Sequence, residues 1–300
     1  MPLSETYSIQ KFLNYLTFQK RYSRNTIISY QTDLTAFFGF IFLEYQTTNL
    51  QEISAPMVRS WLATLKEEKM VSKTINRKIS SLKSFFKYQL KMNKIVVSPL
   101  STTTSLKVSR RLPVFIDEKD INKLFSKNHF PDTWEGKLHY LIFAILYQTG
   151  IRLSELINLQ EKHIDKSSAT IKVLGKGNKE RLIPVNNQLL HHIDSYILEK
   201  RKHFLESAND FLLVNKKGKI LYPKYVYNMV KENLGEVSTI GRKSPHVLRH
   251  SFATHLTNNG APINAIKELL GHSSLAATQI YTHISIEKLK EAHKLAHPKS

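Results

Sequence analysis

Four short segments hold side chains whose types and spacing suit chemistry on an anion. In Thr149-Gly-Ile-Arg-Leu-Ser-Glu-Leu156, Gly150 ends one helix and Ser154 or its neighbour opens the next. Arg152 then stands at the bend, its guanidinium free to project from the core, although an arginine at such a junction is more often a surface ion pair. Gly175-Lys176-Gly177 invites comparison with a phosphate loop. That loop ends in Gly-Lys-Ser/Thr and leads into a helix, whereas here a strand follows, so the nucleotide reading fails. A lysine between two glycines on a hairpin tip can instead reach far from the body, the plain alternative being a basic turn. In Ser244-Pro245-His246-Val247-Leu248-Arg249-His250, serine and proline open a helix and leave His246 and Arg249 three residues apart on one face. Both lie beside a helix N-terminus, which favours an anion. His246 and His250 have the i, i+4 spacing of a metal pair, but no glutamate base lies between them and Arg249 would repel a cation. Last come His272, in Leu269-Leu270-Gly271-His272-Ser273-Ser274, and Tyr281, in Gln279-Ile280-Tyr281-Thr282-His283. A tyrosine in a helix usually packs. Two arginines, one lysine and two histidines in the same half, with no cysteine and no carboxylate pair, argue for more than packing.

The elements that must position these groups divide in two. Residues 1–97 read as a helical bundle. Ile9, Phe12, Leu13 and Leu16 recur at helix spacing, and Ser23 caps a segment with Ile27, Tyr30, Leu34 and Phe37. Ala55-Pro56 opens a third helix with Val58, Trp61, Leu62 and Leu65 inward. Ser72 caps a fourth with Ile75, Ile79, Leu82, Phe86 and Leu90 as its buried stripe. Residues 98–113 are small, polar and basic, and read as a linker. Residues 114–300 are mixed: helices at Asp117–Phe125 and Leu138–Tyr147, a strand at Ala169–Leu174, a turn, a returning strand at Arg181–Val185, and mostly helix thereafter. No internal repeat is present.

Composition narrows the partners. The 300 residues carry 44 Lys+Arg against 24 Asp+Glu, a net charge of +20, split as +11 up to Leu112 and +9 beyond it. Both halves are basic, so both are expected to face an anionic partner, of which nucleic acid is the commonest. The outer side of the fourth helix carries Lys73, Arg77, Lys78, Lys83, Lys87 and Lys91 in a run almost free of acids, a phosphate-contacting set. Cysteine is absent, which excludes disulfides, thiolate zinc sites and cysteine nucleophiles. The first residues lack a secretory signal, and the apolar stretch Ala36–Leu43 is interrupted by Gly39 and too short to span a bilayer. A soluble cytoplasmic protein without a membrane partner is expected.

Taken together, Thr149-Gly-Ile-Arg-Leu-Ser-Glu-Leu156, Gly175-Lys-Gly-Asn-Lys-Glu-Arg181, His246-Val-Leu-Arg-His-Ser-Phe-Ala-Thr-His255 and Leu270-Gly-His-Ser-Ser274 through Tyr281-Thr-His283 resemble the tyrosine recombinases, most closely the Xer branch. The resemblance spans the second half nearly end to end; the first half matches in layout only. It implies a mainly α fold with a small β-hairpin or sheet: an N-terminal SAM-like core-binding bundle and a C-terminal α+β catalytic domain. It places Arg152, Lys176, His246, Arg249 and His272 in the active site and Tyr281 at the nucleophile.

The residues agree with those roles. Attack on a phosphodiester adds charge to its non-bridging oxygens. Arg152 and Arg249 offer planar forks of donors that stay charged, and His246 and His272 add hydrogen bonds. Tyr281 must lose a proton to attack, His246 being the better acceptor, and Lys176 protonates the leaving 5′-oxygen. The 3′-phosphotyrosyl ester conserves the bond energy, so rejoining needs no ATP, metal or other cofactor. Glu155 orients Arg152. The implied partners are a double-stranded recombination site and a homo-tetramer, or a hetero-tetramer with a paralogue. Activation by a DNA translocase of the FtsK type stays open. A mobile-element integrase, a type IB topoisomerase, a non-catalytic DNA-binding protein and a metal-dependent nuclease are the competing readings. At the chain end, Ser285 caps a helix with Ile286, Leu289, Ala292 and Ala296 aligned. Docking of this helix into a neighbouring protomer is expected, against the plainer reading that it packs on its own domain.

Overall fold

Helix signals in the first hundred residues become a bundle. The computed structural model describes residues 3–47, 49–108, 114–126, 129–175, 179–204, 210–271, 293–294 and 296–297, and the chain divides into two units, Met1–Arg111 and Leu112–Ser300. In the first unit, α1 (Leu3–Asn14) runs into a π-helical turn at Tyr15–Gln19, followed by α2 (Arg24–Tyr45), α3 (Ala55–Glu67) and α4 (Ser72–Lys91). The Ser23 hydroxyl accepts from the Thr26 amide and caps α2. Val71, not Ser72, occupies the cap position of α4, and Ser72 is its first helical residue. Phe12, Phe37, Phe38, Phe85 and Phe86 are fully buried and meet edge to face, with Phe38 and Phe85 centroids 5.4 Å apart.

By length and composition α2 could cross a bilayer. Its Leu34, Phe37, Phe38 and Ile41 are instead sealed in the bundle, and the wholly buried Asp33 beside them is ion-paired, which marks a core helix. The stretch read as a linker starts on the first unit. Leu100 belongs to its core, and Leu106 exchanges two hydrogen bonds with Asn76, at 2.8 and 2.9 Å.

The second unit is built around α6 (Trp134–Thr149), buried from Leu141 to Thr149 without a break. Packed about it are α5 (Glu118–Leu124), α7 (Leu153–Ile157), α8 (Asn187–His203), α9 (Pro223–Val237), α10 (Pro245–Asn258) and α11 (Ile263–Leu270). A three-stranded antiparallel sheet in the order β1-β2-β3 covers one side: β1 (Ile164–Asp165), β2 (Thr170–Leu174) and β3 (Glu180–Pro184). In the expected hairpin, Val173 pairs with Arg181 and Leu174 with Glu180. The two-residue β1 is too short to leave a periodic signal.

Ala296 is buried in the second unit's own core. His293 and His297 donate from Nε2 to the carbonyls of Gln148 (2.8 Å) and Tyr147 (3.2 Å), and Asn259 donates to the Ala296 carbonyl. The two imidazoles stack 4.9 Å apart, 6° from parallel. These residues therefore seat on α6 and α10 of the same chain, and histidines unread in the stripe supply the polar anchors. Ile286, Leu289 and Ala292 lie outside the described residues.

Candidate active site

Gly150 closes α6 in the left-handed region, φ 59°, and a Cβ there would come within 2.5 Å of Phe252 on α10. Only glycine lets the chain turn so tightly against that ring. Two residues on, Arg152 is itself the N-cap of α7. Glu155 accepts from the Arg152 amide (2.8 Å) and from its Nη1 (2.7 Å), so one carboxylate fixes both backbone and guanidinium. Burial, the largest single influence on Glu155, would raise its pKa. Hydrogen bonds from Arg181 and Arg152 outweigh it and hold the carboxyl below its ordinary range. Glu155 thus bonds the arginine it is expected to orient.

Arg249 lies one turn into α10. Sequence spacing placed it beside His246 on an outward face, but the two differ: His246 is exposed, while Arg249 is 7% exposed. The Arg249 guanidinium donates to the carbonyls of Gly150 (2.5 Å) and Leu270 (2.6 Å). Burial, then the charge of Arg152, pushes its pKa down to about 10, so it stays cationic at neutral pH. Arg152 reaches the same place with Nη2 on the Gly271 carbonyl, 3.1 Å, and keeps a side chain 32% exposed. Two guanidiniums thus converge on the end of α11, one deep and one open to a ligand.

Arg181 completes this grouping and was absent from the expected site, appearing only as the start of the return strand. Its Nη1 and Nη2 grip both Glu155 oxygens at 3.1 and 2.8 Å, and its Nε donates to the Leu269 carbonyl at 2.8 Å. The only sequence signal was position: Arg181 ends the segment Gly175–Arg181 that carries Lys176. Gly271 is shaped by it, since a Cβ on this left-handed residue would lie 3.1 Å from Arg181 Cδ.

Three expected residues, Lys176, His272 and Tyr281, lie outside the described residues. Gly175 and Gly271, which precede the first two in the chain, are described. The Gly175 amide donates to the Lys179 carbonyl at 2.8 Å, joining the two ends of the segment that contains Lys176. A Cβ on Gly175 would stand 3.4 Å from Arg181 Nη1 and 3.8 Å from Glu155 Oε1. Gly271, held by Arg152, directly precedes His272. Between α7 and the hairpin a cleft of about 370 Å³ opens, lined by Arg152, Ser154, His163, Lys172 and Gly175 among others.

The basic set on α4 divides. Lys73, Lys83 and Lys87 are exposed. Lys78 is not a surface group: its Nζ donates to buried Asp33 at 3.2 Å. Arg77 keeps a half-exposed side chain but also binds Asp33, whose second oxygen accepts from Ser81 at 2.8 Å. A carboxylate sealed in a bundle requires such partners, so Lys78 serves the fold where a phosphate contact was expected.

Comparison with known proteins agrees with this architecture. The phage integrase family model matches residues 114–288, and its N-terminal SAM-like domain matches residues 9–93. A tyrosine recombinase XerC of Anoxybacillus flavithermus is 35% identical over 297 residues, 98% of each chain, and one of Staphylococcus haemolyticus is 35% identical over 289 residues, 96% of each. Among solved structures, the XerH recombinase bound to its difH substrate after cleavage covers 96% of this chain and 94% of its own, with TM-score 0.71 at 22% identity. The Tn1549 transposon integrase with transposon-end DNA covers 95% and 97%, with TM-score 0.71 at 20%. These likenesses establish the two-unit fold. With the family match over more than half of the chain and the relatives matched nearly end to end, the chain belongs to the phage integrase family of tyrosine recombinases, enzymes that cleave and rejoin DNA through a tyrosine nucleophile.

Proposed function

We propose that this recombinase acts at a specific chromosomal site to resolve chromosome dimers at segregation, working in the cytoplasm as a tetramer on two DNA sites. The observation that carries the reading is the pair of guanidiniums fixed on adjoining carbonyls, with Arg152 open enough to meet a phosphate. Arg152 and Arg249 hold the scissile phosphate and offset the charge that grows on its oxygens, and His246 and His272 add donors. The Tyr281 oxygen attacks phosphorus as His246 takes its proton; the bond to the 5′-oxygen breaks, and Lys176 gives that oxygen a proton. The product is a 3′-phosphotyrosyl ester, and a 5′-hydroxyl from the partner duplex reverses each transfer. Positive charge comes from the guanidiniums, so the reaction is expected to run in EDTA.

The dimer-resolution role draws support from whole-length similarity to proteins named XerC. Whether the tetramer pairs with a paralogue, and whether an FtsK-type translocase starts exchange, belong to the same proposal. The test is to trap covalent protein–DNA complexes in cells and sequence the attached DNA. Recovery of one recurring site near the replication terminus supports the proposal. Recovery of the ends of a mobile element would replace it with integration.

A further inference from the structure

Three successive backbone carbonyls at the end of α11 are each taken by a different arginine: Leu269 by Arg181, Leu270 by Arg249 and Gly271 by Arg152. The negative end of a helix suits such cations, and the three come from β3, α10 and the α6–α7 bend. Among the described residues one carboxylate, Glu155, bonds to any of them, and Arg152 and Arg181 share it. Glu155 alone beside Arg152 would cancel the charge that a phosphate must feel, and would hold the guanidinium on itself. Arg181 counters both effects, because its fork occupies each Glu155 oxygen while Nε ties β3 to α11. Arg181 keeps 10% side-chain exposure and commits Nε, Nη1 and Nη2 to protein acceptors.

We propose that Arg181 is a positioning residue for strand cleavage: by binding Glu155 and the Leu269 carbonyl together, it balances the carboxylate beside Arg152, keeps Arg152 aimed at the phosphate and fixes the helix end that leads to His272. This rests on the assignment of Arg152 and Tyr281 to the cleavage site. The role differs from the proton transfer proposed for Lys176, because among the described residues Arg181 bonds the Glu155 carboxylate and α11.

The experiment uses the full-length protein and a nicked suicide duplex on which the adduct accumulates, with DNA affinity and melting temperature measured alongside. Arg181→Met is expected to slow adduct formation about 10–100-fold while leaving DNA affinity within about threefold. A substrate with sulfur at the bridging position, which needs no acid, should not restore the rate. Adding Glu155→Gln to Arg181→Met removes the unbalanced carboxylate, and the double variant is expected to cleave at least about fivefold faster than Arg181→Met. A purely structural arginine would instead give a double variant slower than either single one. Should Arg181→Met melt below the assay temperature, Arg181→Lys decides, since lysine faces Glu155 but cannot also reach Leu269; a loss of about threefold to tenfold is expected at unchanged affinity. Wild-type cleavage rates, rescue by sulfur, or a double variant slower than Arg181→Met would each overturn the proposal. Wild-type protein and Tyr281→Phe run in parallel. If wild type forms no adduct, or Tyr281→Phe forms one, it is the site assignment that falls.

Discussion

Arg152 gains its power from what holds it. Free arginine side chains sample many rotamers, but this one is pinned by Glu155 at one nitrogen and the Gly271 carbonyl at another, leaving other N–H groups to face a ligand. Lys176 is expected to contribute differently, through a proton. Lys176→Ala should slow cleavage of ordinary DNA by about 10²–10⁴-fold, and a bridging sulfur should restore most of that loss. Arg152→Ala should stay slow on both substrates; sulfur rescue of Arg152→Ala, or none for Lys176→Ala, contradicts the division of labour. At this scale the sequence was informative wherever a side chain's type limits its chemistry. The Arg152–Glu155 contact was readable because arginine and glutamate three residues apart at a helix start have few arrangements, whereas the depth of Arg249 was not. Arg181 was not, since its meaning depends on α11, 88 residues away, and no local pattern reports that contact.

Among the elements, α4 separates fold from function on one helix. Asp33→Ala leaves the Lys78 ammonium buried without its carboxylate and is expected to destabilise the first unit by about 3 kcal/mol, read as a lower denaturant midpoint. Lys83→Ala and Lys87→Ala should leave the midpoint alone and each reduce the salt dependence of DNA binding by about one unit in the log–log slope. Unchanged slopes would remove these two lysines from the DNA interface. Helix positions were legible here from apolar periodicity and caps, but periodicity only separates inward from outward stripes. It could not show that Asp33 on α2 draws Lys78 inward. The chain end teaches the same lesson: the stripe through Ala296 was visible, whereas stacked imidazoles seated on α6 carbonyls were not.

That seating gives the second unit a dependence on pH. Burial lowers the pKa of His293, and likewise of His139 and His255, below the ordinary imidazole value. The unfolded chain then binds more protons than the folded one as pH falls below about 6.5, so stability falls with it and is fully present only above that value. Melting temperature is expected to drop between pH 7.5 and 5.5. His293→Gln, which keeps a donor for Gln148 but cannot titrate, should drop less. An equal drop in wild type and variant would place the pH dependence elsewhere.

Over the whole molecule, a net charge of +20 divided between two basic units suits a protein that engages DNA with both, and weakening of binding with salt should therefore survive deletion of either unit. The two-unit organisation was legible from composition and periodicity, although the polar stretch at 98–106 belongs to the first unit because Leu100 and Leu106 find partners there. The proposed function turns on covalent cleavage by Tyr281, and one measurement tests that assignment directly. Wild-type protein is incubated in EDTA with a nicked duplex whose cleaved fragment diffuses away, then denatured, digested and sequenced by mass. A denaturation-resistant adduct with the 3′-phosphate on Tyr281 is expected, and none with Tyr281→Phe, which should still bind the duplex. An adduct on another residue, or one of equal yield in Tyr281→Phe, would contradict it.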